Sequence, residues 1–306
     1  RRSAFSEGIC PAAPVQTAKQ SNLPIWHAAC FFKRHEALRK ANSFPHGVPQ
    51  TNYMSRHEVN LRIFRLLMAR KAESMKLNYL GHMNTIQVKE LAKKTSLAML
   101  PIGPVEVHGP HLPLMTDVVS AVEMVERAAV KLREKGIETL IAPPVNYCLA
   151  DHASVLDGTI TLRPETVSGI IEDICLGLAK WNFTHIVIVN GHGEPRNREA
   201  IQEGARRAEA KNSKLHTVIP DWLWGGMSSC LHVMKCARPE DDIHAGEWET
   251  ALIMMKYPEL VDEQAMRQLT PNWAENFGEK LAAGLDNFID LGAPQGYFGD
   301  PNAATV

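Results

Sequence analysis

Glu106-Val107-His108, a lone Asp117 and His192-Gly193-Glu194 together supply two imidazoles and three carboxylates. Borderline divalent ions such as Zn²⁺ and Mn²⁺ take imidazole nitrogen and carboxylate oxygen together. Two such ions about 3.5–4 Å apart commonly share a bridging carboxylate and a bridging hydroxide. The chemistry this implies is two-ion hydrolysis, with the lone aspartate suited to the bridge. Glu106 and His108 alternate, so in an extended segment both leave the same face. His192 and Glu194 repeat that spacing after an apolar run, and the flanking Gly191 and Gly193 allow a sharp turn and close approach to a small ligand. A phosphate-binding loop is the rival reading of this turn. Glu194 would repel phosphate, however, and the Gly-Lys-Ser/Thr ending of such loops is missing.

A third group, His244-Ala245-Gly246-Glu247-Trp248-Glu249, reads as the opening of a helix. Positions three apart share a helix face, so His244 and Glu247 could act together, with Glu249 nearly half a turn further round. These three are the catalytic candidates, His244 as the proton carrier; the alternative for one glutamate is to cap the helix dipole. His111, held between Pro110 and Pro113, is a candidate substrate contact or a support for the ligands. Asp151 and His152 read as pocket lining or as a solvated loop pair, and Asp241 is a substrate candidate near His244. Trp222, with Trp224, could wall a substrate cavity or meet another subunit. No Gly-x-Ser-x-Gly elbow is present, which leaves water as the better nucleophile.

The elements that must position these residues alternate. A capping box at Asn84 and Gln87 predicts a helix through about Lys94, followed by a strand at Leu97–Ile102. A helix over Asp117–Lys135 and a strand at Thr139–Ala142 precede a strand at Gly158–Leu162 and a helix from Pro164 to Trp181. The strand His185–Asn190, a helix from Pro195 to about Ala210 and a strand at Leu215–Ile219 complete the pattern. This alternation predicts an α/β fold with a mostly parallel sheet covered on both faces, binding its ligand beyond the carboxyl ends of the strands. Both main ligand groups fall at such ends.

Residues 1–75 mix Pro, Ser, Ala, His and Arg without sustained periodicity and read as a poorly ordered N-terminal extension. A transit peptide, a tag, an upstream reading-frame extension and a flexible tail are its readings, with Met75 as a natural start and a short helix over Val59–Ala72 as the exception. Residues 76–306 form the predicted domain. At 45% hydrophobic and 22% charged, the 306-residue chain can bury a full core. A net charge of −1 offers no field to hold a nucleic-acid backbone or an anionic membrane, which favours a small-molecule substrate. Six scattered cysteines with no Cys-x-x-Cys pair argue against a zinc ribbon or a disulfide framework and fit a reducing cytoplasm. No apolar run approaches the roughly 20 residues of a membrane span.

The segment from Leu100 to Asp117, LPIGPVEVHGPHLPLMTD, closely resembles the opening signature of the creatininase (creatinine amidohydrolase) family. Pro143-Pro144-Val145 with Gly158–Leu162, Asn190–Glu194 with Asn197, and His244–Thr250 agree with it in order. The resemblance implies a three-layer α/β/α sandwich, often oligomeric, that hydrolyses C–N bonds in cyclic amides or related small molecules with two ions, Zn²⁺ and/or Mn²⁺. It further implies that Glu106, Asp117 and His192 hold one ion, that His108, Asp117 and Glu194 hold the other, and that Asp117 bridges them. Gly193 and Glu240 depart from the aromatic residues with which creatininase itself flanks its ligands, which argues against creatinine as the substrate. The resemblance leaves a small, cyclic, non-peptide amide as the expected substrate. A sensor or scaffold without turnover, and a hydrolase of a carbocyclic ketone or a peptide bond using the same site, are the alternatives.

Overall fold

Asn84 accepts the Gln87 N–H at 3.0 Å, and the Gln87 side chain accepts the Asn84 N–H at 2.8 Å. This reciprocal cap opens α1 (Thr85–Ala92) as its residues predict. The computed structural model describes residues 76–306. The N-terminal extension, the Val59–Ala72 helix, Met75, Cys10 and Cys30 lie outside the described residues. Further along, α2 spans Thr116–Glu134, α3 Pro164–Ala179 and α4 Pro195–Lys211. α3 and α4 each begin on a proline, whose missing N–H costs nothing in a first turn. α5 (Glu247–Lys256) and three short helices, α6 (Glu263–Met266), α7 (Phe277–Ala282) and α8 (Phe288–Leu291), follow.

Five strands, β1 (Asn78–Tyr79), β2 (Leu97–Ile102), β3 (Leu140–Ile141), β4 (His185–Asn190) and β5 (His216–Val218), form one sheet in the order β1-β3-β2-β4-β5. Every pairing in it is parallel. Alternate residues serve opposite faces. Ala98, Leu100, Ile102, Ile186 and Ile188 pack with Ile171, Ile201 and Ala205 of α3 and α4. On the other face Met99, Ile141 and Val189 pack with Ala121, Val125 and Ala129 of α2. Two helical layers therefore sandwich the sheet, the α/β/α architecture the alternation implies.

One predicted strand is replaced. Gly158–Leu162 is a loop tied down by isolated bonds from Ile160 N to Val105 O and from Leu162 N to Cys148 O. Thr161 Oγ1 also accepts the Ala150 N–H and donates to Asp151. Side-chain bonding to neighbouring backbone here takes the place of a continuous ladder. β3 is shorter than expected because Pro143 and Pro144 follow it and bring no donors. No described helix is long and apolar enough to cross a membrane. The cysteines among the described residues, Cys148, Cys175, Cys230 and Cys236, are free.

α3 and α4 meet at Gly204, where an added Cβ would lie 2.4 Å from Ser168 O and 2.9 Å from Ile171 Cβ. Both obstacles belong to a packed helix, so Gly204→Ala is expected to destabilise the fold by about 1–3 kcal/mol. A thermal melt measures this, and an unchanged midpoint would contradict the packing described.

Candidate metal centre

β2 and β4 pair in register from Leu97↔His185 to Ile102↔Asn190, so they end side by side. The chain leaves β2 through Gly103 to reach Glu106 and His108, and leaves β4 through Gly191 to reach His192 and Glu194. Asp117 arrives in the first turn of α2. Gly103 and Gly191 are tight not because a ligand approaches them but because α2 does. A Cβ on Gly191 would lie 2.1 Å from Asp117 O, and one on Gly103 would lie 2.8 Å from Asp117 C.

Asp117 stands between the two histidines. Its Oδ1 is 3.1 Å from His108 Nε2 and its Oδ2 is 3.0 Å from His192 Nδ1. Glu106 Oε1 lies 3.3 Å from His192 Nδ1 and 3.8 Å from His244 Nδ1. Glu249 Oε1 lies 3.7 Å from His108 Nε2. Three sets could each hold a cation, with ligand atoms within 4.8 Å of one another: Glu106, Asp117 and His192; His108, Asp117 and Glu249; and Glu106, His108 and His244.

The electrostatics call for positive charge. Glu106 is fully buried, and neither of its carboxylate oxygens has a hydrogen-bond partner, a costly arrangement unless a cation compensates it. Burial pushes its pKa up, against the pull of His192. Burial alone would depress His108 and His192, yet the carboxylates beside them, Asp117 and Glu249 for His108 and Glu106, Asp117 and Glu194 for His192, drive both well above the ordinary histidine value. Asp117 is held far below the usual carboxylate range by those same histidines, against its own burial. The cluster thus gathers protons wherever it lacks another cation. A metal must displace them to reach the nitrogens, so binding is expected to release protons and to weaken as pH falls. Calorimetry in buffers of different ionisation enthalpy reads that release, and a pH-independent affinity would contradict it.

The third cluster differs from its predicted form. His244 lies before α5, bridged to Phe298, with Ala245 in the left-handed region at φ 52°. It therefore shares no helix face with Glu247. His244 Nε2 meets Val107 O at 2.9 Å, which turns Nδ1 towards Glu106. Burial, reinforced by His108, lowers its pKa to about 4 and keeps it neutral. Glu247 turns to the loop instead, its carboxylate accepting the Lys235 and Cys236 N–H groups at 2.8–2.9 Å. Glu249 is the helix residue that joins the cluster.

Beside the centre lies a cavity of about 240 Å³, lined by His152, Glu194, Trp224, Ile243, Phe277 and Phe288 among others. Among the expected substrate contacts, His152 lines it and four do not. His111 is buried, and its Nε2 bonds Thr250 Oγ1 at 2.9 Å. Asp151 pairs with Arg196 at 2.6 Å, and Asp241 with Arg238 at 2.5 Å. Trp222 donates its indole N–H to Asn190 O at 2.9 Å and packs on the α2 side of the sheet. Trp224, expected beside it as cavity wall, does line the cavity, on a π-helical turn at Trp222–Gly226. The apolar wall of Ile243, Phe277 and Phe288 carried no signal in the sequence, because these residues come from short, non-periodic C-terminal pieces.

The Creatininase family profile, described as creatinine amidohydrolase, matches residues 81–306. The chain belongs to the creatininase family. Its relatives in that family include the mycofactocin precursor peptide peptidase of Mycobacterium ulcerans, 27% identical over 74% of this chain and 84% of that protein. The creatinine amidohydrolase of Pseudomonas putida is 29% identical over 54% of this chain and 65% of its own length. A solved structure of a candidate creatinine amidohydrolase from Bacteroides fragilis superposes with a TM-score of 0.61 at 26% identity, covering 75% of this chain and 88% of that one. By name, the mycobacterial relative is a peptidase and the Pseudomonas relative a creatinine amidohydrolase.

Proposed function

We propose that this chain is a metal-dependent hydrolase that cleaves an amide C–N bond in a small, uncharged substrate. The observation that carries the reading is the buried Glu106 carboxylate, unpartnered at both oxygens and facing His192 and His244 across a cluster that Asp117 ties together. Glu106, Asp117 and His192 would hold one ion, and His108 and Asp117 would hold a second together with a further carboxylate. Mixed nitrogen and oxygen donors suit Zn²⁺ or Mn²⁺. When bound, the ions supply Lewis acidity that acidifies water and polarises the scissile carbonyl. His244, neutral and with its Nδ1 facing the cluster, would carry the proton to the leaving nitrogen. The cavity wall of Trp224, Ile243, Phe277 and Phe288 would exclude water and receive an apolar substituent.

Two substrate classes are consistent with this chemistry. The sequence reading favours a non-peptide, cyclic amide. The named peptide peptidase among the relatives favours a peptide bond, and the apolar cavity wall would suit an apolar side chain beside it. Lactams, cyclic ureas, formamides and short apolar peptides assayed side by side separate the two. Chelated protein is expected to lose hydrolysis and regain it with Zn²⁺ or Mn²⁺. Turnover indifferent to chelation would overturn the metal-dependent reading, and bound metal without turnover on any of these substrates would leave a sensor.

A further inference from the structure

Resting on the reading of His244 as proton carrier, we infer that Asp242 is the positioning residue that sets His244 against the cluster, by clamping the turn that carries it. Asp242 is fully buried and belongs to none of the three candidate cation sets. Its Oδ2 accepts the Glu247 N–H at 2.8 Å and the Asp300 N–H at 3.0 Å. The first bond closes residues 242–247 into a loop with His244 inside it and fastens that loop to the first residue of α5. The second ties the same oxygen to the segment that pairs with His244, where Phe298 O accepts the His244 N–H at 3.1 Å and Phe298 N donates to His244 O at 2.7 Å. One carboxylate oxygen thus joins the chain on either side of His244.

The surroundings are shaped to that carboxylate. A Cβ on Gly246 would lie 2.2 Å from Asp242 Oδ2, and one on Gly299 would lie 2.3 Å from it, so glycine is what leaves room on both sides. The turn is not held by regular structure. His244 precedes α5, meets Phe298 in a single isolated bridge, and is followed by Ala245 at φ 52°, a conformation that costs free energy in a residue with a Cβ. Two backbone N–H groups on one buried carboxylate, one of them at the amino end of a helix, make the strong kind of tie that can maintain it. The consequence is read at the ring. His244 Nε2 lies 2.9 Å from Val107 O, and a carbonyl only accepts, so Nε2 carries the hydrogen and Nδ1 faces Glu106 bare. Moving the turn by about 1 Å would break that bond and misplace the nitrogen that takes the proton.

The test separates position from folding. Asp242→Asn keeps an oxygen for both N–H groups and Asp242→Ala keeps none, while Gly246→Ala presses a methyl onto the carboxylate as a second route to the same loss. Melting curves show which variants fold. In the Zn²⁺-loaded full chain, ring-nitrogen NMR of His244, assigned by its disappearance in His244→Ala, is expected to show one Nε2–H tautomer in wild type and Asp242→Asn. Asp242→Ala and Gly246→Ala are expected to show a mixture, with Zn²⁺ content unchanged. On the fastest substrate of the panel above, Asp242→Ala is expected to lower kcat about 100-fold with little change in KM, but less than about threefold in a His244→Ala background. The inference is overturned if the folded alanine variants keep the wild-type tautomer or lose Zn²⁺, or if Asp242→Asn behaves like Asp242→Ala. An equal loss of kcat in the two backgrounds would overturn it as well, as would failure of both alanine variants to fold, which would make the clamp a device of folding alone. His244→Ala turning over at the wild-type rate would instead overturn the proton-carrier reading, a distinct result.

Discussion

Asp117→Ala is expected to lose both ions together and to lower kcat/KM by at least about three orders of magnitude, equivalent to about 4 kcal/mol of transition-state stabilisation. Asp117 is the one carboxylate whose two oxygens face the two histidines separately, Oδ1 towards His108 and Oδ2 towards His192. Alanine therefore removes a donor from both sets that contain Asp117, the one with Glu106 and His192 and the one with His108, whereas Glu106→Gln leaves the His108–Asp117 set intact. Quantifying metal in the two variants at equal free Mn²⁺ separates these cases. Retention of one tightly held ion in Asp117→Ala would show that the aspartate does not join the two sets. Asp117→Asn, which keeps the shape but not the charge, should fall near Asp117→Ala, because neutral amide oxygen is a poor substitute for carboxylate between two cations.

The layers of the fold were legible because parallel strands buried on both faces leave continuous apolar runs, as at Leu97–Ile102 and His185–Asn190, and helices announce their starts through Asn84 and through Pro164 and Pro195. The convergence of Glu106, His108, Asp117 and His192 was legible for the same reason. Their strands end together, so residues spaced along the chain must meet there. The third cluster was harder to read, since its geometry turns on a break in the backbone. Ala245 at φ 52° and Gly246 separate His244 from α5, which sends Glu247 to the 235–236 loop and Glu249 to His108. Helical spacing assumed from His244 onward inverts those two roles. Of the two tryptophans expected together at the cavity, Trp224 lines it and Trp222 does not, because a π-helical turn shifts the angular register that an ordinary helix would give. The cavity wall at Phe277 and Phe288 comes from helices of six and four residues, too short to show a period.

The glycines at the strand ends connect this layout to activity. Gly191→Ala is expected to cost about 3 kcal/mol of stability and about 100-fold in kcat/KM, although residue 191 would donate nothing to metal or substrate. A Cβ there would sit 2.1 Å from Asp117 O, 2.9 Å from Asp117 C and 3.3 Å from Ala121 Cβ, and Ala121 is itself fully buried. All three obstacles belong to α2, so relief requires the helix to retreat from β4 by a large fraction of an ångström or more. Asp117 rides on that first turn and would leave His108 and His192 with it. Gly193→Ala is the control, two residues along the same loop. Its Cβ would meet Trp224 Cζ2 at 3.0 Å, but Trp224 is 49% exposed at the cavity rim and can rotate away. That variant should keep its melting temperature and its two ions while KM changes. If both alanines behaved alike, the close packing of α2 against the end of β4 would not be what sets the position of Asp117.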